Sequence, residues 1–167
     1  MCSLGRERTS SDGGYAVERL VRGVPLVRGS ASGQTLVSDE PISFWGGVDP
    51  QTGTIIDRRH DRCGESIIRR ICFFPSEKGS STASAVLLEL ARTGKAPSAI
   101  VTVETPPILM LGAIIAERLY GLAIPVLRIE RDDFHRFESG QHVCISIDGE
   151  IRLQHGGETH FGQSASA

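Results

Sequence analysis

The apolar and polar positions of this chain fall into two regimes. In the first third the apolar runs are short and punctuated by glycine and proline, as in "RLVRGVPLVRG" and "GQTLVS", which predicts β-strands. "VDPQTGTII" places a Pro50-Gln51-Thr52-Gly53 turn between two short apolar stretches, a hairpin arrangement. "SIIRRICFFP" reads as a further strand closed by Pro75, because proline cannot donate to a ladder. Beyond it the period changes. Ala83, Val86, Leu87, Leu90 and Ala91 recur at helical spacing and form one buried stripe. Gly94 suits the left-handed residue that ends such a helix, and Pro97 follows where the helix cannot continue.

"SAIVTVE" is a nearly continuous apolar strand, as expected where both faces are covered. "PPILMLGAIIAERLYG" is apolar almost all round, which predicts a second helix, deeply packed. "IPVLRIE" reads as another buried strand, and Asp148-Gly149 within "HVCISIDGEIRL" signals a hairpin. Strand, helix, strand, helix, strand implies right-handed crossovers and a small parallel sheet. The β-rich N-terminal third then packs on that sheet as a second layer or a partial barrel. The expected class is α/β, a layered β/β/α domain. Residues 1–18 and 154–167 are polar and rich in glycine and serine, so they are expected as disordered tails around one domain over 19–153.

Composition narrows the function. A chain of 167 residues suffices for one domain with a real core. With 18 basic and 20 acidic residues it carries no electrostatic footprint for nucleic acid. The longest apolar stretch stops at Glu117 and Arg118, too short to span a bilayer. The N-terminus lacks the apolar core of a secretory signal, so a cytoplasmic location is expected. Cys2, Cys63, Cys72 and Cys144 lack the paired spacing of a structural zinc site, and no metal bound by this chain alone is expected.

The candidate chemistry lies at the junction "FFPSEKGSSTASAVLLEL". Gly79, Ser80, Ser81 and Thr82 fall where a helix starts after a buried strand. The first N–H groups of a helix have no internal partner and its dipole makes that end partly positive, so such a place takes carboxylate or phosphate. Gly79 lets a ligand approach the backbone. Simple capping favours the same residue types, although two serines and a threonine exceed what one cap needs. The chain has no G-x-S-x-G elbow, Walker lysine motif or dinucleotide G-x-G-x-x-G. Lys78 adjoins the serines, but no partner base is identifiable, so chemistry at Ser80 requires part of the site from another chain.

Asp39, Glu40 and Ser43 in "SDEPISFWGG" could line a cleft or order a loop before Pro41. Trp45, the sole tryptophan, flanked by Gly46 and Gly47, fits an interface anchor or a core residue. Asp49 to Gly53 is most simply a turn. His60 lies in the charged stretch "DRRHDRCGES"; it is a cleft or interface candidate because it titrates near neutral pH, although the default there is a solvated side chain. Arg58, Arg59 and Arg62 could attract an acidic substrate or pair with the partner subunit, with a solvated face as the default. Glu104 ends a parallel strand on the side where ligands approach open α/β sheets. Gly112 inside the second helix suggests close packing.

Taken together, "GSASGQTLVSDEPISFWGGVDPQTGTIIDRRH", "FFPSEKGSSTASAVLLELARTGKAPSAIV" and "ILMLGAIIAERLYGLAIPV" resemble the small subunit, or swivel domain, of aconitase X enzymes. The resemblance implies a swivelling β/β/α domain that closes over a larger catalytic subunit, the large-subunit partner, in which an iron or iron–sulfur centre is expected. It implies a hydro-lyase in which the first serine after the glycine handles the substrate proton. That position is Ser80, with Gly79, Ser81 and Thr82 holding a small-molecule acid substrate. Better-known aconitases carry arginine where Thr82 stands, so a bidentate carboxylate grip is absent and a substrate other than citrate is implied. Members of the family dehydrate either cis-3-hydroxy-L-proline or (R)-5-phosphomevalonate. The segments "ERLYGLAIPVL" and "FHRFESGQHVCISIDGEIRL" are closer to the bacterial form, which favours hydroxyproline. A non-catalytic binding module that kept the swivel fold is the reading from a different class.

Overall fold

The structure, a computed structural model, describes residues 20–154. The two expected tails therefore lie outside the described residues, apart from Gln154. The elements in chain order are β1 (Leu20–Arg22), β2 (Val24–Val27), β3 (Ala31–Val37), β4 (Val48–Asp49), β5 (Thr54–Ile55), β6 (Ile71–Phe74), α1 (Ala83–Arg92), β7 (Ala99–Thr102), α2 (Pro107–Tyr120), β8 (Val126–Arg128), α3 (Arg131–Phe134), β9 (His142–Ile145) and β10 (Glu150–Gln154).

Strands β3, β6, β7 and β8 run parallel and adjacent, with α1 and α2 as the crossovers between β6, β7 and β8. Successive right-handed crossovers that move one way along a sheet put both helices on the same face. There α1 buries Ala83, Val86, Leu87, Leu90 and Ala91, the stripe its spacing predicts. Strand residues alternate between the two faces. Leu36, Cys72, Phe74, Ile100 and Val126 face the helices. Val37, Ile71, Phe73, Ala99, Val101 and Leu127 face an opposite layer containing Val21, Val143, Ile145 and Ile151.

That opposite layer comes from both ends of the chain rather than from the N-terminal third alone. β3 belongs to both layers: Ala31–Gln34 pair antiparallel with β9, and Thr35–Val37 pair parallel with β6. β9 and β10 form the hairpin expected at Asp148-Gly149, with Gly149 at φ +88°. β1 pairs with β10 and β2 with β8, so the eight-stranded order begins and ends on two halves of one segment, Leu20–Val27. The segment bends at Gly23, where a Cβ would lie 3.0 Å from Ile129 and 3.2 Å from the Arg128 carbonyl oxygen.

One expectation fails here. α2 is not packed all round: Leu109, Gly112, Ala113 and Ala116 are buried, while Leu111, Ile114, Leu119 and Tyr120 are exposed. One face suffices to cover the sheet, and Gly112 brings α1 close, since a Cβ there would lie 3.0 Å from the Ser84 carbonyl oxygen. The one-turn α3, which supplies Phe134 to the second core, has no counterpart in the sequence pattern.

Candidate functional site

The parallel strands β3, β6 and β7 end at Val37, Phe74 and Thr102, and the loops after them gather at that carboxyl edge, where open α/β sheets bind ligands. The loop after β6 is held on two sides. Ile42 donates its N–H to the Ser76 carbonyl at 3.1 Å and accepts the Lys78 N–H at 2.8 Å, a single parallel bridge. Pro75 accepts the N–H groups of Val103 and Glu104, both at 3.1 Å. Glu104, expected near the ligand side, stands there exposed, two residues beyond the end of β7. Glu77 accepts the N–H of Ile108 at 2.8 Å and of Leu109 at 2.9 Å, one on each carboxylate oxygen. A carboxylate is favoured at the partly positive start of α2.

Gly79 follows, with φ +108°, a conformation that favours glycine. A Cβ there would lie 2.6 Å from the Ser43 hydroxyl oxygen. Ser80, Ser81 and Thr82 form a turn immediately before α1 rather than its first turn: Ala83 N–H bonds the Ser80 carbonyl at 2.9 Å and Ser84 N–H the Ser81 carbonyl at 3.3 Å. The Ser80 hydroxyl accepts the Thr82 N–H at 3.3 Å and donates to the Thr82 hydroxyl at 3.2 Å. Thr82, at the N-cap, makes no side-chain cap bond. Gly79 to Thr82 are all exposed. The N–H groups of Gly79, Ser80 and Ser81 find no acceptor among the described residues. Capping is thus partial, and a short run of amides beside an exposed hydroxyl stays open.

Ser43 also donates to the Trp45 carbonyl at 2.8 Å, and the Val48 N–H on the Phe44 carbonyl at 3.2 Å closes a tight turn through Gly46 at φ +73°. A Cβ on Gly47 would lie 2.2 Å from the Ser43 carbonyl oxygen. This turn leaves Trp45 57 % exposed, which removes the core reading. The structure therefore brings Ser43 against Gly79, with Trp45 to Gly47 in the same turn. Asp39 and Glu40 gather elsewhere, with no hydrogen bond to Gly79–Thr82 among the described residues.

His60 corrects the sequence expectation of a solvated ring: its side chain is 1 % exposed. Its Nε2 lies 3.4 Å from the Ser38 hydroxyl, its Nδ1 lies 3.1 Å from the Arg62 amide nitrogen and 3.2 Å from Asp61, and its ring meets Phe74 edge-on. Ser38 donates to Asp61 at 2.5 Å and accepts the Glu40 N–H at 3.0 Å, while Asp61 accepts the Asp39 N–H at 3.3 Å. A charged sequence neighbourhood hides this because the partner, Ser38, is remote in the chain. A cavity of about 280 Å³ beside the cluster is lined in part by Asp39, Arg62, His135 and Ser139.

Asp57 accepts the Arg59 N–H at 3.0 Å, and that bond holds its carboxyl below the ordinary carboxylate range, helped by the charges of Arg59 and Lys78. Lys78 Nζ lies 4.0 Å from Asp57. Asp49 orders its turn through the Gln51 N–H and Thr52 hydroxyl, which lower its pKa, as the turn reading requires. Arg59 is exposed, and Arg62 is partly covered by long contacts to Asp61 and Glu65. Among the described residues no group of three or more His, Cys, Asp or Glu is placed to hold a metal, and no helix is long and apolar enough to cross a membrane. Sequence reasoning missed Glu77, Ser38 and Asp61; nothing local couples Glu77 to amides some thirty residues on.

A β/β/α domain that presents its hydroxyls and free amides at the carboxyl edge of a small parallel sheet defines the class. The family model of the aconitase X swivel domain matches residues 20–153, and the chain belongs to that family. It is 38% identical over 145 residues to a cis-3-hydroxy-L-proline dehydratase of Hypocrea jecorina, and 48% identical over 101 residues to one of Pseudomonas aeruginosa. These matches cover 87% and 60% of this chain but 24% and 17% of the relatives, so the chain spans less than a quarter of each. It is also 38% identical over 139 residues to a phosphomevalonate dehydratase small subunit of Methanosarcina mazei, covering 82% of this chain and 92% of that one. The crystal structure of Thermococcus kodakaraensis aconitase X in its holo-form superposes with a TM-score of 0.74 at 36% identity, over 82% of this chain and 99% of that one.

Proposed function

We propose that this chain is the swivel component of an aconitase X-type dehydratase, carrying Ser80 as the proton-handling group of a site that a larger component completes. The observation that supports the reading is the exposed Ser80 hydroxyl beside the free N–H groups of Gly79, Ser80 and Ser81. Elimination of water takes a proton from one carbon and hydroxide from its neighbour. Negative charge develops on the substrate, and fixed donors aimed at it stabilise the transition state. The open amides and the positive end of α1 are such donors, and they suit a substrate carboxylate. Ser80 takes the proton from carbon as its alkoxide and becomes the neutral hydroxyl; the helix end favours the alkoxide, and the base that first removes the hydroxyl proton is assigned to the larger component.

Hydroxide departure needs an acid that the described residues do not supply. The iron or iron–sulfur centre expected with the fold finds no fitting ligand set among the described residues. The large component is its proposed place, and the chemistry derived from this chain runs through Ser80 and the amides alone.

The preferred substrate is cis-3-hydroxy-L-proline, converted to a pyrroline carboxylate; the 48% identity to the Pseudomonas aeruginosa protein supports it. The second reading is (R)-5-phosphomevalonate, converted to trans-anhydromevalonate 5-phosphate. It is supported by the match across 92% of the Methanosarcina mazei small subunit, and a phosphate also suits a helix start. The test is turnover by this chain co-purified with its large component, offered both compounds in parallel. Turnover of the imino acid alone supports the first reading and turnover of the phosphorylated acid alone the second. Loss of neither compound with an intact, metal-loaded complex contradicts both and leaves the binding-module reading.

A further inference from the structure

The Ser80 side chain makes its bonds within its own turn and stands in solvent. Its aim is therefore set by what holds the chain on either side. On the far side is α1. On the near side the anchor is Glu77, three residues upstream. The two bonds of Ile42 fix the backbone of Ser76 and Lys78 and leave the Glu77 side chain free to reach the other way. There its two oxygens take the N–H groups of Ile108 and Leu109 at 2.8 and 2.9 Å. Charge-assisted bonds of this kind, at a helix start, are strong and directional.

The two crossover helices, α1 and α2, begin at this edge, and each start is a seat for an anion. Glu77 fills the seat on α2 with a group of the protein itself, while the amides before α1 stay open. The arrangement couples two jobs: it closes one seat to small anions and fastens the Lys78–Gly79 corner to the rigid start of α2.

We propose that Glu77 is the positioning residue for Ser80, acting by clamping the loop after β6 onto the first amides of α2. The inference rests on the reading of Ser80 as the proton carrier. Glu77 itself touches neither proton nor substrate.

Glu77→Ala removes a CH2–COO fragment, and acetate has the same carboxylate and one carbon beside it. In the complete complex, kcat of Glu77→Ala should fall on the order of 100-fold, the scale of a misplacement of about 1 Å, with KM changed less than about threefold. Acetate should restore at least about tenfold of kcat, saturably, and should not activate the unsubstituted complex or Ser80→Ala. Hydrogen exchange of the free chain supplies a readout independent of activity. Glu77→Ala should speed exchange more than about tenfold at the two bonded amides that hold this loop, Ile42 N–H on the Ser76 carbonyl and Lys78 N–H on the Ile42 carbonyl, leave β7 unchanged, and slow again in acetate. Unchanged kcat, or a loss of kcat with exchange at Ile42 and Lys78 unchanged, overturns the proposal. If Glu77→Ala does not fold, Glu77→Gln decides: it keeps one acceptor, so a folded complex with intermediate kcat supports the clamp and full kcat overturns it. Turnover retained by Ser80→Ala, or no turnover by the unsubstituted complex, contradicts the serine reading instead, and the exchange data still judge Glu77.

Discussion

The Ser43 hydroxyl occupies the space that a side chain on Gly79 would need: an ideal Cβ on Gly79 would lie 2.6 Å from it. Two segments far apart in sequence, "ISFWGG" and "EKGSST", are thereby locked together at the carboxyl edge of the sheet. With Gly79 also at φ +108°, substitution there is opposed twice, by conformation and by contact. Gly79→Ala should lower stability by about 1–3 kcal/mol, the range for a strained backbone residue. Ser43→Gly combined with Gly79→Ala should recover part of that loss, because contact is relieved and φ is not. Denaturant melts of the single and double variants check this; strict additivity would contradict the contact.

His60→Leu should destabilise the domain by about 1–3 kcal/mol, since it removes a buried ring and its polar contacts with Ser38 and Arg62. A solvated histidine, the sequence expectation, would change stability by less than about 0.5 kcal/mol. Thermal unfolding separates the two.

Asp57 gives a pH dependence of known sign. Its folded pKa is depressed, so its contribution is fully present above the unfolded carboxylate value of about 3.9 and is lost as pH falls through the lower folded value. The difference in melting temperature between the unsubstituted chain and Asp57→Asn should be present at pH 6 and shrink as pH falls below about 4. A difference that grows on acidification would contradict the assignment.

Trp45 is 57 % exposed in a turn braced by Ser43, so it contributes little to the core. Trp45→Ala should leave the melting temperature of the free chain nearly unchanged and weaken association with the large component at least about tenfold, as loss of a buried aromatic anchor does. Titration calorimetry with the purified large component measures it. Unaltered affinity would remove Trp45 from the interface.

Much of this fold is written in periodicity. The stripe Ala83, Val86, Leu87, Leu90 and Ala91 gives α1, and the Asp148-Gly149 pair gives the last hairpin, because both depend on neighbours in sequence. What escaped the pattern depends on distant neighbours. α2 is apolar all round, yet nothing local says which face meets the sheet, so the exposure of Leu111 and Ile114 was illegible. The burial of His60 depends on Ser38 and Phe74, and the clamp of Glu77 depends on the start of α2. The glycine–serine run at 79–82 was legible as a polar turn before a helix. Its open amides follow from where the turn ends, and only coordinates supply that.

The most direct test of the account is the turnover number of the complete complex with Ser80→Ala, on whichever of the two acids the unsubstituted complex dehydrates. The account predicts a fall of at least about 100-fold, the usual scale for losing a positioned proton-transfer group, with folding and subunit association intact. Near-normal turnover in an intact complex would contradict it, and Ser80 would then be part of a turn that happens to lie at the edge of the sheet.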